Sequence, residues 1–295
     1  MEIRRVSDVL KETFGEKIYK IPLNAGCTCP NRDGTVGFGG CTFCSGSGSG
    51  DFAPGLLSLE EQIRESRRRI EGKTDARRFI GYFQSFSNTY GDQDRLKELF
   101  RRTAERPEIA VLSIGTRPDC LEPEMVEFLE ELNRTKPVWV ELGLQTVHEK
   151  TAKRFHRGYG LPAFEDAYRR LKDAGLTVIV HVILGLPGET RKEMLETARY
   201  LAALTPALDG VKFHMLHLLE GTQMGEEYKN DPFPLLSLEE YTDIVVECMK
   251  ILPEKTVIHR FTGDGPKRDL IGPMWTWDKK KVLNYMNKKI GEAER

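Results

Sequence analysis

The sequence predicts an α/β protein built as a partial (β/α)6 barrel. Three observations lead there: six short β-branched runs alternate with six longer amphipathic ones, several of the longer runs open on a helix-capping pattern, and no low-complexity linker divides the 295 residues. A length near 300 suggests two ordinary domains, but α/β barrels of roughly 200 to 250 residues fold as one unit.

In chain order the strand candidates are 17–23, 78–84, 109–115, 138–144, 176–184 and 211–218. The helix candidates are 59–71, 93–105, 123–134, 162–174, 190–204 and 238–251. Ser58 with Glu61, Thr190 with Glu193 and Ser237 with Glu240 match the capping box, in which hydroxyl and carboxylate satisfy orphaned amides of the first turn. Apolar strands alternating with helices require a parallel sheet covered by helices, joined by right-handed crossovers. Six units fall short of an eight-fold barrel, so the expectation is a partial one, with its site at the carboxyl ends of the strands. Residues 1–252 are expected to form the barrel, with a Cys-bearing loop at 26–50. Residues 253–295, containing Trp275, Trp277 and a basic helix over 278–289, are expected as a C-terminal extension packed on it.

Charged residues make up 30% and hydrophobic ones 39%, which excludes collagenous and disordered chains. With 44 Lys+Arg against 45 Asp+Glu, the formal net charge is -1, so a nucleic acid or anionic membrane would have to meet a local patch. Arg67 to Arg69, Arg77-Arg78, Lys267-Arg268 and Lys279 to Lys281 are such clusters, although solvated helix faces explain them equally well. The start of the sequence lacks an apolar signal segment, and the most apolar run, 176–186, is interrupted by His181. A cytoplasmic protein without a membrane partner is expected.

Four Cys fall within eighteen positions, Cys27, Cys29, Cys41 and Cys44, in a glycine-rich loop after the first strand. In a reducing compartment they point to a metal rather than a disulfide. Three thiolates suit an iron-sulfur cluster and four suit tetrahedral zinc. The run Cys29-Pro30-Asn31-Arg32-Asp33-Gly34-Thr35, then Gly39-Gly40-Cys41-Thr42-Phe43-Cys44, is joined downstream by Gly115-Thr116-Arg117-Pro118-Asp119, Glu141-Leu142-Gly143-Leu144-Gln145 and Gly185-Leu186-Pro187-Gly188-Glu189. Together these motifs closely resemble the MnmL (YtqA/YhcC-like) family of radical SAM proteins. The resemblance extends over nearly the whole chain, to His259-Arg260 and Pro273-Met274-Trp275.

The resemblance implies a partial TIM-like barrel of the radical SAM type. It implies a [4Fe-4S] cluster on Cys29, Cys41 and Cys44, spaced C-x11-C-x2-C, with Cys27 the extra thiol. Three ligands leave one iron open, and S-adenosylmethionine chelates that iron in such enzymes, so that one electron cleaves a carbon-sulfur bond to give an adenosyl radical. Phe43 stands where these enzymes place an aromatic residue near the adenine. Gln145 matches a polar position facing the methionine or ribose, Arg157 the usual arginine for the methionine carboxylate, and His181 the place of a ribose-binding acid. Each also has an ordinary reading: a strand-end cap, a solvated helix residue and a core histidine. Gly115 departs from relatives with a carboxylate just before Thr-Arg-Pro-Asp, so no acid role transfers there.

Segments 116–119 and Glu141 resemble the radical domain of the Elongator catalytic subunit. His214, His217, Glu220 and the 81–86 stretch are candidates for the same cavity, with Tyr82, Phe83 and Phe86 also readable as core. The family resemblance implies a tRNA substrate, modified at the C5 side chain of the wobble uridine in the mnm5s2U pathway. It also implies an electron donor such as flavodoxin or ferredoxin. The competing readings are a radical SAM enzyme acting on a small metabolite or peptide, and a zinc-stabilised nucleic-acid-binding protein without turnover.

Overall fold

The computed structural model describes residues 3–48 and 50–295; Ser49, within the Gly/Ser run 46–50, lies outside the described residues. Among the described residues nine strands form: β1 Tyr19–Leu23, β2 Phe79–Phe83, β3 Ile109–Thr116, β4 Val138–Gln145, β5 Thr177–Leu184, β6 Gly210–Met215, β7 Leu218–Leu219, β8 Val257–Arg260 and β9 Leu270–Gly272. β1 to β6 lie side by side in sequence order, every neighbour parallel, and β8 adds a seventh parallel strand beside β6. The sheet curls into an open half-barrel, with helices filling the crossovers as the alternating pattern predicts.

All eight residues of β3 are buried, because helices cover its outer face and the barrel interior takes the other. The three predicted capping boxes form at Ser58, Thr190 and Ser237, each with both reciprocal hydrogen bonds. They fix the starts of the helices Leu59–Arg68, Arg191–Ala202 and Leu238–Ile251 within a residue of expectation.

Two expectations need correction. The strand expected over 211–218 stops at Met215: after Leu216 N donates to Leu184 O at 3.0 Å the ladder with β5 ends, and Leu218–Leu219 pairs antiparallel with β9 instead. Residues beyond 252 also do more than pack on the barrel, since Val257–Arg260 is a strand of its sheet. The helix Lys279–Glu294 buries Val282, Met286 and Ile290 in the main core, alongside Leu238–Ile251.

An unforeseen helix, Val6–Phe14, closes the amino end of the barrel. Its Leu10, flanked by Val6 and Phe14, packs with Ile18, Ile80, Ala110, Val111, Trp139 and Ile179. Just before it, Arg5 bridges to Ile258, and Arg4 O accepts the Ile258 amide at 2.8 Å, which ties the segment to the β8 edge. Among the described residues no helix is long and apolar enough to cross a membrane.

Candidate functional site

The loop after β1 is fastened by backbone bonds at its turns. The Gln62 side chain anchors its entry, accepting from Asn24 N at 2.7 Å and donating to Asn24 O at 3.0 Å. Arg32 N donates to Cys29 O at 2.8 Å, Val36 N to Pro30 O at 2.8 Å, Gly40 N to Asn31 O at 2.7 Å and Cys44 N to Cys41 O at 2.9 Å. The Arg32 guanidinium reaches back to Cys44 O and Ser45 O at 3.1 and 2.5 Å. Gly40 permits this: at φ +87° a Cβ there would stand 2.7 Å from Arg32 Nε. Thr42 then docks the loop on the barrel, donating its amide to Phe155 O at 3.0 Å and accepting from Met224 N at 2.8 Å.

Within this loop the thiols separate into a group of three and one outlier. Burial pushes the Cys41 thiol up to about 12, the nearby Cys44 and Cys29 push the same way, and Arg117 opposes them. Asn31 Nδ2 donates to Cys41 Sγ at 3.7 Å, and Arg117 Nη1 to Cys29 Sγ at 3.9 Å. Cys27 instead packs against the main core beside Arg95, its thiol pushed up to about 11 by burial against the pull of that guanidinium. Three grouped sulfurs, two of them met by N–H donors, fit a cluster whose thiolates each meet a different iron. Among the described residues, no group of three or more His, Cys, Asp or Glu side chains is disposed to hold a single metal ion.

The sequence singled out the motif around Arg117 but missed its contact with sulfur. Arg117 is buried, grips Asp119 through Nε and Nη2 at 2.9 and 2.7 Å, and donates from Nη1 to Arg157 O at 2.9 Å. Its guanidinium lies 4.8 Å from the Tyr159 ring, as does that of Arg157. The two cations and one ring form a brace beneath the Cys loop.

Of the predicted cofactor contacts, Phe43 sits at the rim, its ring 5.2 Å from Phe155. Gln145 ends β4 at φ +64°, a region few non-glycine residues adopt and one found at functional sites. Its Oε1 accepts from Tyr159 OH at 3.1 Å, and the same hydroxyl reaches Gly143 O at 2.9 Å. Arg157 has a different task from the carboxylate partner expected of it. Its side chain is 1% exposed, and it donates to Tyr159 O, Leu144 O, Thr146 O and Glu149 Oε1 at 2.7 to 2.9 Å. Those bonds hold the turn after β4 in place. His181 lies below the rim, in the barrel interior, where its Nε2 meets Glu141 Oε2 at 2.8 Å.

That interior layer is the site's main electrostatic feature. The Glu141 side chain is 0% exposed, and Oε1 takes Lys20 Nζ at 2.8 Å and the Ser113 hydroxyl at 2.7 Å. Oε2 takes His181 and Lys212 Nζ. Burial alone would raise the Glu141 carboxyl, but the two ammonium groups and His181 hold it well below the usual carboxylate range. Lys212 is pulled well below the usual lysine range, chiefly by burial, against the attraction of Glu141. The Tyr82 ring faces both ammonium groups, at 4.3 and 4.4 Å.

The remaining cavity candidates divide. His214 stands beside His181 at 5.1 Å between rings, with Nε2 buried and without a partner among the described residues. Tyr82 belongs to the interior layer, whereas Phe83 is core against Phe100 and Phe86 lies over Arg32. Glu220 is corrected outright: it is exposed and paired with Lys229. The Gly185 to Glu189 segment is a tight turn whose Glu189 accepts from Thr146 Oγ1 at 2.5 Å. Cys120 and Cys248 are buried, and burial pushes both thiols up to about 12.

Residues 27–201 match the model of the Radical SAM superfamily, and residues 208–292 that of the Radical_SAM C-terminal domain. The chain is 43% identical over 282 residues to the uncharacterized protein YtqA of Bacillus subtilis, covering 95% of this chain and 87% of that one. It is 33% identical over 267 residues to protein YhcC of Escherichia coli, covering 90% and 85% respectively. More distantly, it is 31% identical over 190 residues to the tRNA uridine(34) acetyltransferase of Methanocaldococcus infernus, 60% of this chain and 33% of that protein. The structure of Elp3 from that archaeon, lacking its N-terminus, shares the fold with a TM-score of 0.64 at 21% identity, over 78% of this chain and 58% of that one.

Proposed function

The chain belongs to the radical SAM superfamily, whose enzymes use S-adenosylmethionine and a [4Fe-4S] cluster, and on that premise we propose that it modifies the C5 side chain of the wobble uridine of tRNA. In this reading Cys29, Cys41 and Cys44 are the cluster ligands. When bound, the cluster supplies one electron and an open iron for S-adenosylmethionine. The chain's own residues position that pair and exclude water from it.

The observation that carries the cluster assignment is the arrangement of the thiols: Cys44 and Cys29 lie near enough to Cys41 to push its thiol up, whereas Cys27 meets Arg95 instead. Arg117 and Asn31 donate toward two of those sulfurs, which favours their thiolate forms. Phe43 at the rim and Gln145 at the end of β4 are the cofactor-contacting side chains in this reading, with Arg157 bracing the turn that carries Gln145. Flavodoxin or ferredoxin is the class of electron donor it requires.

Support for tRNA comes from the likeness to the tRNA uridine(34) acetyltransferase. Nucleoside analysis of tRNA from a strain lacking this protein tests it. The expected result is loss of a wobble nucleoside and accumulation of its precursor. Unchanged wobble nucleosides, with S-adenosylmethionine cleavage by the purified protein intact, would turn the reading toward a small metabolite or peptide.

A further inference from the structure

We propose that the charged layer inside the barrel is the floor of the substrate pocket, and that Lys20 and Lys212 bind a carboxylate carried by the substrate. The proposal deepens the enzyme reading and rests on it for where the reacting group sits.

Two lysine side chains converge on the single carboxylate of Glu141. Burial holds Lys212 well below the usual lysine range against the pull of Glu141, so its charged form is the costly one here. Burial also lowers His181, His214 and His259, which leaves the two lysines as the cationic partners for an anion. Arg260 pairs with Asp264 at 3.1 Å, an acid it shares with Lys279. A monoanion entering beside the lysines would offset the cost of charging Lys212 and pair with the share of Lys20 that Glu141 does not take.

Donors for that anion are present. Each ammonium has three N–H groups and gives one to Glu141. The Tyr82 ring lies 4.3 and 4.4 Å from the two nitrogens, and each keeps N–H groups beyond the one given to Glu141. His214 Nε2 is buried there without a partner among the described residues. The space is open rather than filled: the side chains of Lys20 and His181 keep 30% and 22% of their exposure.

The carboxyl ends of the strands, where the cysteine loop lies, are the side from which a substrate would enter. One inward step above Ser113 and Glu141 stand Gly115 and Gly143, paired through the register Gly115 to Glu141 and Gly143 to His181. A Cβ at Gly115 would already lie 3.5 Å from the Tyr82 hydroxyl and 3.2 Å from Phe83 O, so a longer side chain would fill the passage. Below, the Val6–Phe14 helix and the apolar ring around Trp139 close the other exit. Lys20 and Lys212 already grip one carboxylate in this layer, that of Glu141, and a monoanionic carboxylate brings less charge to desolvate than a dianionic phosphate.

Two measurements on the cluster-loaded protein test this. The first uses tRNA from the deletion strain with Lys20→Met, Lys212→Met and Lys20→Arg. Both Met variants should retain the wild-type iron and sulfide content and raise KM for that tRNA at least tenfold, while Lys20→Arg recovers most of the loss. An unchanged KM in both Met variants overturns the proposal. The second needs no tRNA and decides the matter alone if the wild type leaves tRNA untouched or Lys212→Met does not fold. Acetate is titrated into protein carrying 15N-histidine, with inorganic phosphate as the control anion, in the wild type and in Lys20→Met. A saturable shift of the His214 ring signal with acetate, weakened at least tenfold in Lys20→Met and absent with phosphate, supports the carboxylate site. No shift, or one equal in both proteins, overturns it.

Discussion

At the amino end of the barrel Ile80, Val111, Trp139 and Ile179 close on Leu10 and Ile18 as an apolar plug. Two residues further along the same four strands stand Tyr82, Ser113, Glu141 and His181, tied by charge and hydrogen bonds to Lys20 and Lys212. Strand alternation puts both sets on the inner face. The difference shows how one sheet divides its labour by depth. The amino end is an apolar layer that secures the fold, and the next layer toward the carboxyl ends is polar and charged.

The largest expected effect breaks the charged layer. Glu141→Leu leaves two ammonium groups without their carboxylate, and urea unfolding should show a loss of about 3–5 kcal/mol. Adding Lys20→Met and Lys212→Met to that variant should restore most of the stability, since an apolar layer of similar volume has no charge to desolvate. A loss under about 1 kcal/mol in Glu141→Leu alone would mean that the layer is solvated and weakly coupled.

In the apolar plug, Leu10→Ala should cost about 2–4 kcal/mol through a cavity and lost burial, with little dependence on salt. The two layers should also part company with pH. The Glu141 carboxyl is held below its ordinary value, so its contribution is complete above the unfolded pKa and lost as pH falls through the folded one. Stability below about pH 4.5 should therefore fall more steeply in the wild type and in Leu10→Ala than in Glu141→Leu, as measured by urea midpoints. The smallest effect lies outside both layers: Ser58→Ala removes a capping box and should cost about 1 kcal/mol.

What the sequence made legible follows the same division. Periodicity located the six strand-helix units because the strands from β2 to β6 are largely buried on both faces and each helix carries one apolar stripe. The capping boxes were legible because hydroxyl and carboxylate lie three residues apart. The charged layer was hidden, since Lys20 and Glu141 are 121 positions apart and only the curl of the sheet brings them together. Lys212 reads as a stray charge in a strand until the register sets it beside His181. The four residues of β8, with His259 and Arg260 among them, are too few and too polar to read as a strand. Arg157 matched a familiar position, yet its partners are carbonyls that local sequence does not reveal.

In the proposed function Cys29, Cys41 and Cys44, and not Cys27, hold the cluster. The direct measurement is iron and sulfide content with 5'-deoxyadenosine formation in the four single Cys→Ala variants, purified and reconstituted without oxygen. Loss of both signals in Cys29→Ala, Cys41→Ala and Cys44→Ala, with both retained in Cys27→Ala, is the predicted result. A Cys29→Ala protein that keeps its cluster, or a Cys27→Ala protein that loses it, would contradict the account.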